Sequence, residues 1–137
     1  MNRRDIFKAS VATAGGLMAT QVAGANTDLL EDEAGRLCRA LARCVAACNA
    51  CYLDCLENAA SDPSYIECVK RCLDCASLCS TMFDFVSRGS ALTPELAELC
   101  IKCCEACIEI CEQHEGDPNC EACVAACVAC VALLREC

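Results

Sequence analysis

One spacing recurs along this chain and leaves little freedom for anything else. Cys44, Cys48, Cys51 and Cys55 stand at offsets 0, 4, 7 and 11. Cys68, Cys72, Cys75 and Cys79 repeat those offsets, and Cys100, Cys104, Cys107 and Cys111 repeat them again, with Cys103 added. A near-copy at 0, 3, 7 and 10 follows in Cys120, Cys123, Cys127 and Cys130, and Cys137 lies one heptad beyond Cys130. At 3.6 residues per turn such offsets hold one face of an α-helix. In an ordinary bundle these positions would carry leucine. The repeat therefore predicts helices whose buried stripe is made of thiols, about seventeen of them pointing into one core. Cys38 sits about a quarter turn off the stripe, where packing as a small apolar side chain competes with any role as a ligand.

Helix breakers divide the chain. Asp62-Pro63-Ser64 reads as a turn and Arg88-Gly89-Ser90 ends a segment. Thr93-Pro94-Glu95 reads as an N-cap with Pro94 at the first helical position, and Glu115-Gly116-Asp117-Pro118-Asn119 is the last break. Between them the pattern predicts helices over about 31–60, 65–87, 94–114 and 120–136, each rich in Ala, Leu, Glu and Cys and free of internal Pro. Four helices with short connections fold most simply as an all-α, antiparallel four-helix bundle. The length of 137 residues suits one domain. With no Trp, 3 Phe and 2 Tyr, its core must be filled by Cys, Ala, Leu and Val.

The first 25 residues read differently. Asn2-Arg3-Arg4-Asp5-Ile6-Phe7-Lys8 precedes a weakly apolar stretch from Ala9 to Val22, and Ala23-Gly24-Ala25 has the small-residue pattern of a cleavage site. This resembles a twin-arginine (Tat) export signal. Residues 1–25 are therefore expected to be removed, leaving 26–137 as the bundle domain in the periplasm. Export after folding suits a thiol-rich chain, because thiols buried in a reducing cytosol escape scrambling by later oxidants. Every later apolar run is broken by charge well short of the ~20 residues needed to span a bilayer. The net charge is −9; losing three basic residues and one acidic residue with the signal makes it −11. Nucleic acid and anionic membrane are accordingly excluded as partners. The acidic side chains of Glu31, Asp32, Glu33, Glu95, Glu98, Glu109, Glu112 and Glu121 read as a solvated face.

Four chemistries could use thiols along a bundle axis. Disulfides between cysteines four apart in one helix would bend it, because their Cα–Cβ bonds run nearly parallel one turn apart. Interhelical disulfides remain open, although an odd total of 19 cysteines leaves one unpaired. Ferredoxin-type clusters use loop cysteines followed by Pro, a pattern missing here. Zinc favours four thiolates in a tetrahedron, which buries a charge of −2 per ion. Cu(I) is soft, selects thiolates and accepts two or three of them. When thiolates bridge ions, each added Cu⁺ replaces one H⁺ and the interior stays close to neutral. The reading is therefore a protein that binds and stores many Cu(I) ions per chain, with zinc or thiol buffering of the metallothionein kind and a disulfide-stapled bundle as alternatives.

With these marks the sequence resembles the copper storage proteins (Csp family), in their exported branch. The resemblance covers nearly the whole mature chain and rests on the pairs Cys44/Cys48, Cys51/Cys55, Cys68/Cys72, Cys75/Cys79, Cys100/Cys104, Cys103/Cys107, Cys107/Cys111 and Cys123/Cys127. It implies a homotetramer of four-helix bundles and a role in copper homeostasis. Its expected partners are a copper chaperone or a copper-dependent client such as a methane monooxygenase. No Ser-His-Asp set, paired carboxylate or phosphate-binding loop is evident, so no enzyme activity is expected. Val45, Ile108 and Val124 are expected to face outward and permit helix association.

The stripes also distinguish the two bundle ends. Continued toward the termini they reach Leu37, Leu41, Met82, Phe83, Val86, Leu92, Leu96, Leu133 and Leu134, an apolar plug in which Met82 is filler rather than ligand. Continued the other way they reach Asn58, Tyr65 and His114 beside Cys55, Cys68, Cys111 and Cys120. Copper is expected to enter there, with His114, the chain's single histidine, as a first contact or else a solvated loop residue.

Overall fold

The computed structural model describes residues 32–137; residues 1–31, including the segment expected to be an export signal and Glu31, lie outside the described part. Four helices follow in order: α1 (Glu33–Ala59), α2 (Tyr65–Arg88), α3 (Thr93–Cys111) and α4 (Pro118–Leu134). Each packs against its neighbours in a ring, α1 on α2, α2 on α3, α3 on α4 and α4 on α1, while diagonal backbones stay apart. The expected all-α four-helix bundle is the fold observed, with no strand among the described residues.

Local chemistry sets the boundaries. Asp32 caps α1, its Oδ1 accepting from the Gly35 amide, and Glu33 places negative charge in the first turn. Asp62 stops the chain between α1 and α2 by accepting from the Ser64 amide. Gly89 ends α2 in the left-handed region at φ 64°, which a residue without Cβ adopts freely, and the Ser90 amide bonds back to the Phe85 carbonyl. Asp117 caps α4 by accepting from the amides of Asn119 and Cys120, with Pro118 in the first turn.

Two boundaries differ from expectation. The Thr93 hydroxyl donates backward to the Ser90 carbonyl (2.6 Å) and does not cap α3, so Leu92 occupies the cap position without a side-chain bond. Helix α3 stops at Cys111, three residues early, because Glu115-Gly116-Asp117-Pro118 turns the chain and starts α4 at Pro118. His114 therefore belongs to a turn and not to a continued helical face.

The termini end is closed by apolar packing. Leu37, Leu41, Met82 and Leu134 are buried there, with Val86, Leu96 and Leu133 partly buried around them. Phe83 and Leu92, expected in the plug, are exposed instead. Leu92 precedes α3, and Phe83 neighbours the buried Met82 on α2 without sharing its burial. Val45, Ile108 and Val124 do not face outward: all three are partly buried against the core.

Candidate metal centre

Four cysteines from each helix fill the rest of the interior. Cys44, Cys48, Cys51 and Cys55 of α1, Cys68, Cys72, Cys75 and Cys79 of α2, Cys100, Cys104, Cys107 and Cys111 of α3, and Cys120, Cys123, Cys127 and Cys130 of α4 are all buried. All sixteen are free thiols. No polar or charged side chain is buried with them among the described residues.

Because each stripe advances a turn at a time, the thiols meet in successive layers. Five quartets bring four sulfurs within 4.8 Å of one another, and every quartet takes one cysteine from each helix. Along the axis these are Cys44/Cys79/Cys104/Cys130, Cys44/Cys75/Cys104/Cys127, Cys48/Cys75/Cys107/Cys127, Cys51/Cys72/Cys111/Cys123 and Cys51/Cys68/Cys111/Cys120. The first three quartets share members in succession, as do the last two, so no more than three quartets are independent of one another. Cys44–Cys127, Cys48–Cys123, Cys75–Cys104, Cys79–Cys100 and Cys107–Cys123 are each 3.6 Å apart. Contacts also cross the diagonals, Cys51 to Cys111 at 3.9 Å and Cys75 to Cys127 at 3.8 Å. The closest approach is Cys55 to Cys68, 3.0 Å, where α1 and α2 meet beside their turn.

The electrostatics follow from this crowding. Desolvation opposes ionisation throughout the stripe, and at Cys55 and Cys120 it is the leading cause of a raised pKa. Within the network, thiols that accept hydrogen bonds ionise more readily than those that donate. Donation from Cys104 and Cys79 pulls Cys100 down to about 4. Cys75 is pushed up to about 11, chiefly through Cys103. Cys44 is lowered with Cys104 as the leading cause, while Cys127 is raised through the same residue.

Cys55 and Cys100 belong to no quartet but touch core thiols, Cys55 at 3.0 Å from Cys68 and Cys100 at 3.6 Å from Cys79, and three further cysteines lie outside the buried core. Cys38 is half-buried and its sulfur lies 3.6 Å from the Ser87 hydroxyl. Cys137 follows the end of α4 and is exposed, because the helix stops at Leu134 before the heptad can return it to the stripe. Cys103 is half-buried on the α2–α3 side, packed against the core without belonging to any quartet. The structure thus brings together sixteen of the predicted ligands and leaves Cys38, Cys103 and Cys137 outside.

The end away from the termini carries a polar cluster. The His114 ring stacks on Tyr65, centroids 3.9 Å apart and planes inclined by 17°. The Tyr65 hydroxyl donates to Asp117 Oδ2 (3.4 Å), and the Asn58 amide donates to Asp54 Oδ2 (3.3 Å). Burial, followed by the neighbouring Asp117 carboxylate, holds the Asp54 carboxyl above its ordinary range. His114 Nε2 is buried and has no hydrogen-bond partner among the described residues. Beside it a concavity of about 520 Å³ is lined by Cys111, Glu112, His114, Glu115, Glu121 and Val124. It joins solvent to Cys111, an outermost core thiol. The stripe pattern places Tyr65 and His114 at one end; the stacking and the hydrogen bond to Asp117 depend on turn geometry that helical periodicity does not encode.

Known proteins share this architecture. A sequence model described as "Csp: Copper storage protein" matches residues 30–137. An uncharacterized cysteine-rich protein, YhjQ of Bacillus subtilis (strain 168), is 32% identical over 93 residues, covering 68% of this chain and 84% of that protein. The solved structure of Cu(I)-bound copper storage protein BsCsp3 superposes with a TM-score of 0.71 at 28% identity, covering 77% of this chain and 97% of its own. With a match that spans the whole bundle and a cysteine-lined interior to go with it, this chain belongs to the copper storage protein family.

Proposed function

We propose that the sixteen core thiols store many Cu(I) ions per chain, and that this chain buffers copper for later use. The observation that carries the reading is the layered, one-per-helix arrangement of free thiols with no buried cation beside them. Metal–sulfur bonds of about 2.3 Å would span about 4.6 Å in a linear S–metal–S unit and about 3.8 Å across a tetrahedron. Separations of 3.6–4.0 Å between neighbouring layer sulfurs suit three-coordinate or bent sites directly. Linear sites need the sulfurs to part by about 0.6–1.0 Å.

Distance alone also admits zinc, so charge decides. A tetrathiolate zinc site carries −2, and nothing in the interior offsets it. Three independent quartets set a ceiling of about three such ions. Bridged Cu(I) lets the metal charge match the thiolate charge, which permits about eight ions at two thiolates each and about sixteen at one each.

Copper enters at the end bearing the Tyr65–His114 stack, where the concavity reaches Cys111 and Glu112, Glu115 and Glu121 draw cations. His114 Nε2 is the unpartnered donor on that path. The twin-arginine segment sends the folded chain to the periplasm, and a client copper enzyme, a methane monooxygenase among the candidates, draws on the store. The chain binds metal and does not catalyse. Exposed Leu53 and Leu56 on α1 and Ile66 and Leu73 on α2 supply apolar surface for a homotetramer.

Native mass spectrometry of the reduced domain given equal Cu(I) and Zn(II) tests the central reading. It should show a ladder of copper-loaded species extending beyond the zinc ceiling. Species confined to three or fewer metals, all zinc, would overturn it. A fusion of residues 1–31 to a reporter tests export: transport should stop when Arg3 and Arg4 are replaced by Lys.

A further inference from the structure

The bundle end beside the Tyr65–His114 stack mixes two kinds of ligand. Its concavity is lined by nitrogen and oxygen donors, His114, Glu112, Glu115 and Glu121, and by one thiol, Cys111. None of the three glutamates has an ion-pair partner among the described residues, and His114 Nε2 has no hydrogen-bond partner among them. Every deeper layer offers sulfur alone. Imidazole and carboxylate suit Cu(II), whereas thiolates select Cu(I). A cupric ion that reaches this end must therefore be reduced before the core can hold it.

The electrons have a source close by. Cys55 and Cys68 are the closest pair of sulfurs, 3.0 Å apart, with Cys55 donating to Cys68. They belong to different helices, so the parallel Cα–Cβ bonds that oppose a disulfide within one helix do not constrain them. A disulfide of about 2.05 Å needs the two sulfurs to close by about 1 Å. Cys68 in turn lies 3.7 Å from Cys111, the thiol on the concavity. Hydrogen bonding, chiefly to Cys111, holds Cys68 well below the ordinary thiol range, while burial holds Cys55 above it. The pair thus joins an electron-rich sulfur to a partner already in contact.

We propose that this end is a cupric reduction site, resting on the storage reading above: His114 and the glutamates hold Cu(II), and the Cys55–Cys68 pair reduces it on entry. Each pair consumes two cupric ions. The first takes one electron, and the two sulfurs share the loss in a three-electron S–S bond. The second takes the remaining electron and leaves a disulfide. In sum, two thiols and two Cu²⁺ become one disulfide, two Cu⁺ and two H⁺, the protons passing to solvent. The Cu⁺ ions then leave the nitrogen and oxygen donors for Cys111 and the thiolates behind it. The step is stoichiometric and stops at two ions until a thiol reductant restores the pair.

Anaerobic addition of two equivalents of aqueous Cu(II) to the reduced protein tests this. The Cu(II) electron paramagnetic resonance signal should vanish, two thiols should be lost, and peptide mapping should place the disulfide at Cys55–Cys68. Samples frozen before the signal decays should show nitrogen coupling to copper that His114→Ala removes. Cys55→Ala with Cys68→Ala should slow the decay about fivefold or more. Cys79→Ala with Cys100→Ala, which removes as many core thiols from the closed end, should slow it less than twofold. A persistent Cu(II) signal, or a disulfide at any other pair, would overturn the proposal. So would nitrogen coupling unchanged in His114→Ala, or equal slowing by the two double variants. Wild-type protein that fails to retain copper supplied directly as Cu(I) would instead overturn the storage reading on which this rests.

Discussion

His114 lies flat against Tyr65, ring centroids 3.9 Å apart, and its Nε2 is buried without a hydrogen-bond partner among the described residues. A buried nitrogen normally finds a hydrogen bond, so an orphan beside the outer thiols suits the entry role proposed for His114. Replacing His114 by Ala should slow loading from a cationic Cu(I) donor severalfold and leave final capacity within one ion of wild type. Stopped-flow mixing followed by equilibrium titration separates the two effects. An unchanged rate would assign His114 to the turn alone.

The closed end makes a contrasting prediction. Met82 is fully buried among apolar side chains and remote from the turn that carries His114. Met82→Ala should destabilise the apo bundle by about 2–5 kcal/mol in urea unfolding, as for other large-to-small core changes. Copper capacity should not change. A loss of bound copper at unaltered stability would make Met82 a ligand.

Much of this was legible in the sequence, for identifiable reasons. The offsets 0, 4, 7 and 11 fix a helical face whatever the residue, so all sixteen buried thiols and their four-by-four distribution follow from spacing. Spacing alone failed where a helix stopped. Cys137 keeps the heptad but falls past Leu134, and His114 keeps the stripe but falls in a turn. Cys103 keeps an i, i+4 relation to Cys107, yet a neighbour of Cys104 on a helix points about 100° away from it. The layering of quartets and the Tyr65–His114 stack depend on how antiparallel helices are staggered, which no single helix records.

Burial raises the pKa of Cys55 and Cys120, and this has a consequence for pH. In the unfolded chain a thiol titrates near 8.5, so above that pH the unfolded state binds fewer protons than the folded one. Stability then falls as pH rises. The contribution of these two thiols is intact below about pH 8 and is lost progressively above about pH 9. Between pH 8 and 9.5 the urea midpoint of the reduced apo domain should therefore fall further, or climb less, than that of a Cys55→Ala, Cys120→Ala variant. Parallel midpoints for the two proteins across that range would contradict the assigned direction.

Core and peripheral thiols should separate cleanly on mutation. Cys38→Ser with Cys137→Ser should leave Cu(I) capacity within one ion of wild type, since neither residue belongs to a quartet. Cys44→Ser with Cys127→Ser removes members of overlapping layers and should reduce capacity by about two to four ions. Equal losses from the two double variants, measured by chelator competition, would show that the quartets are not where copper resides.

Storage itself is tested most directly by anaerobic titration of the reduced 26–137 domain with Cu(I) against a competing chelator, thiols being counted in parallel. Sixteen reactive core thiols predict tight uptake of about eight to sixteen ions per chain, with protons released as copper binds. Saturation at one or two ions, with most thiols unreactive until a disulfide reductant is added, would mean a disulfide-stapled bundle and contradict the account.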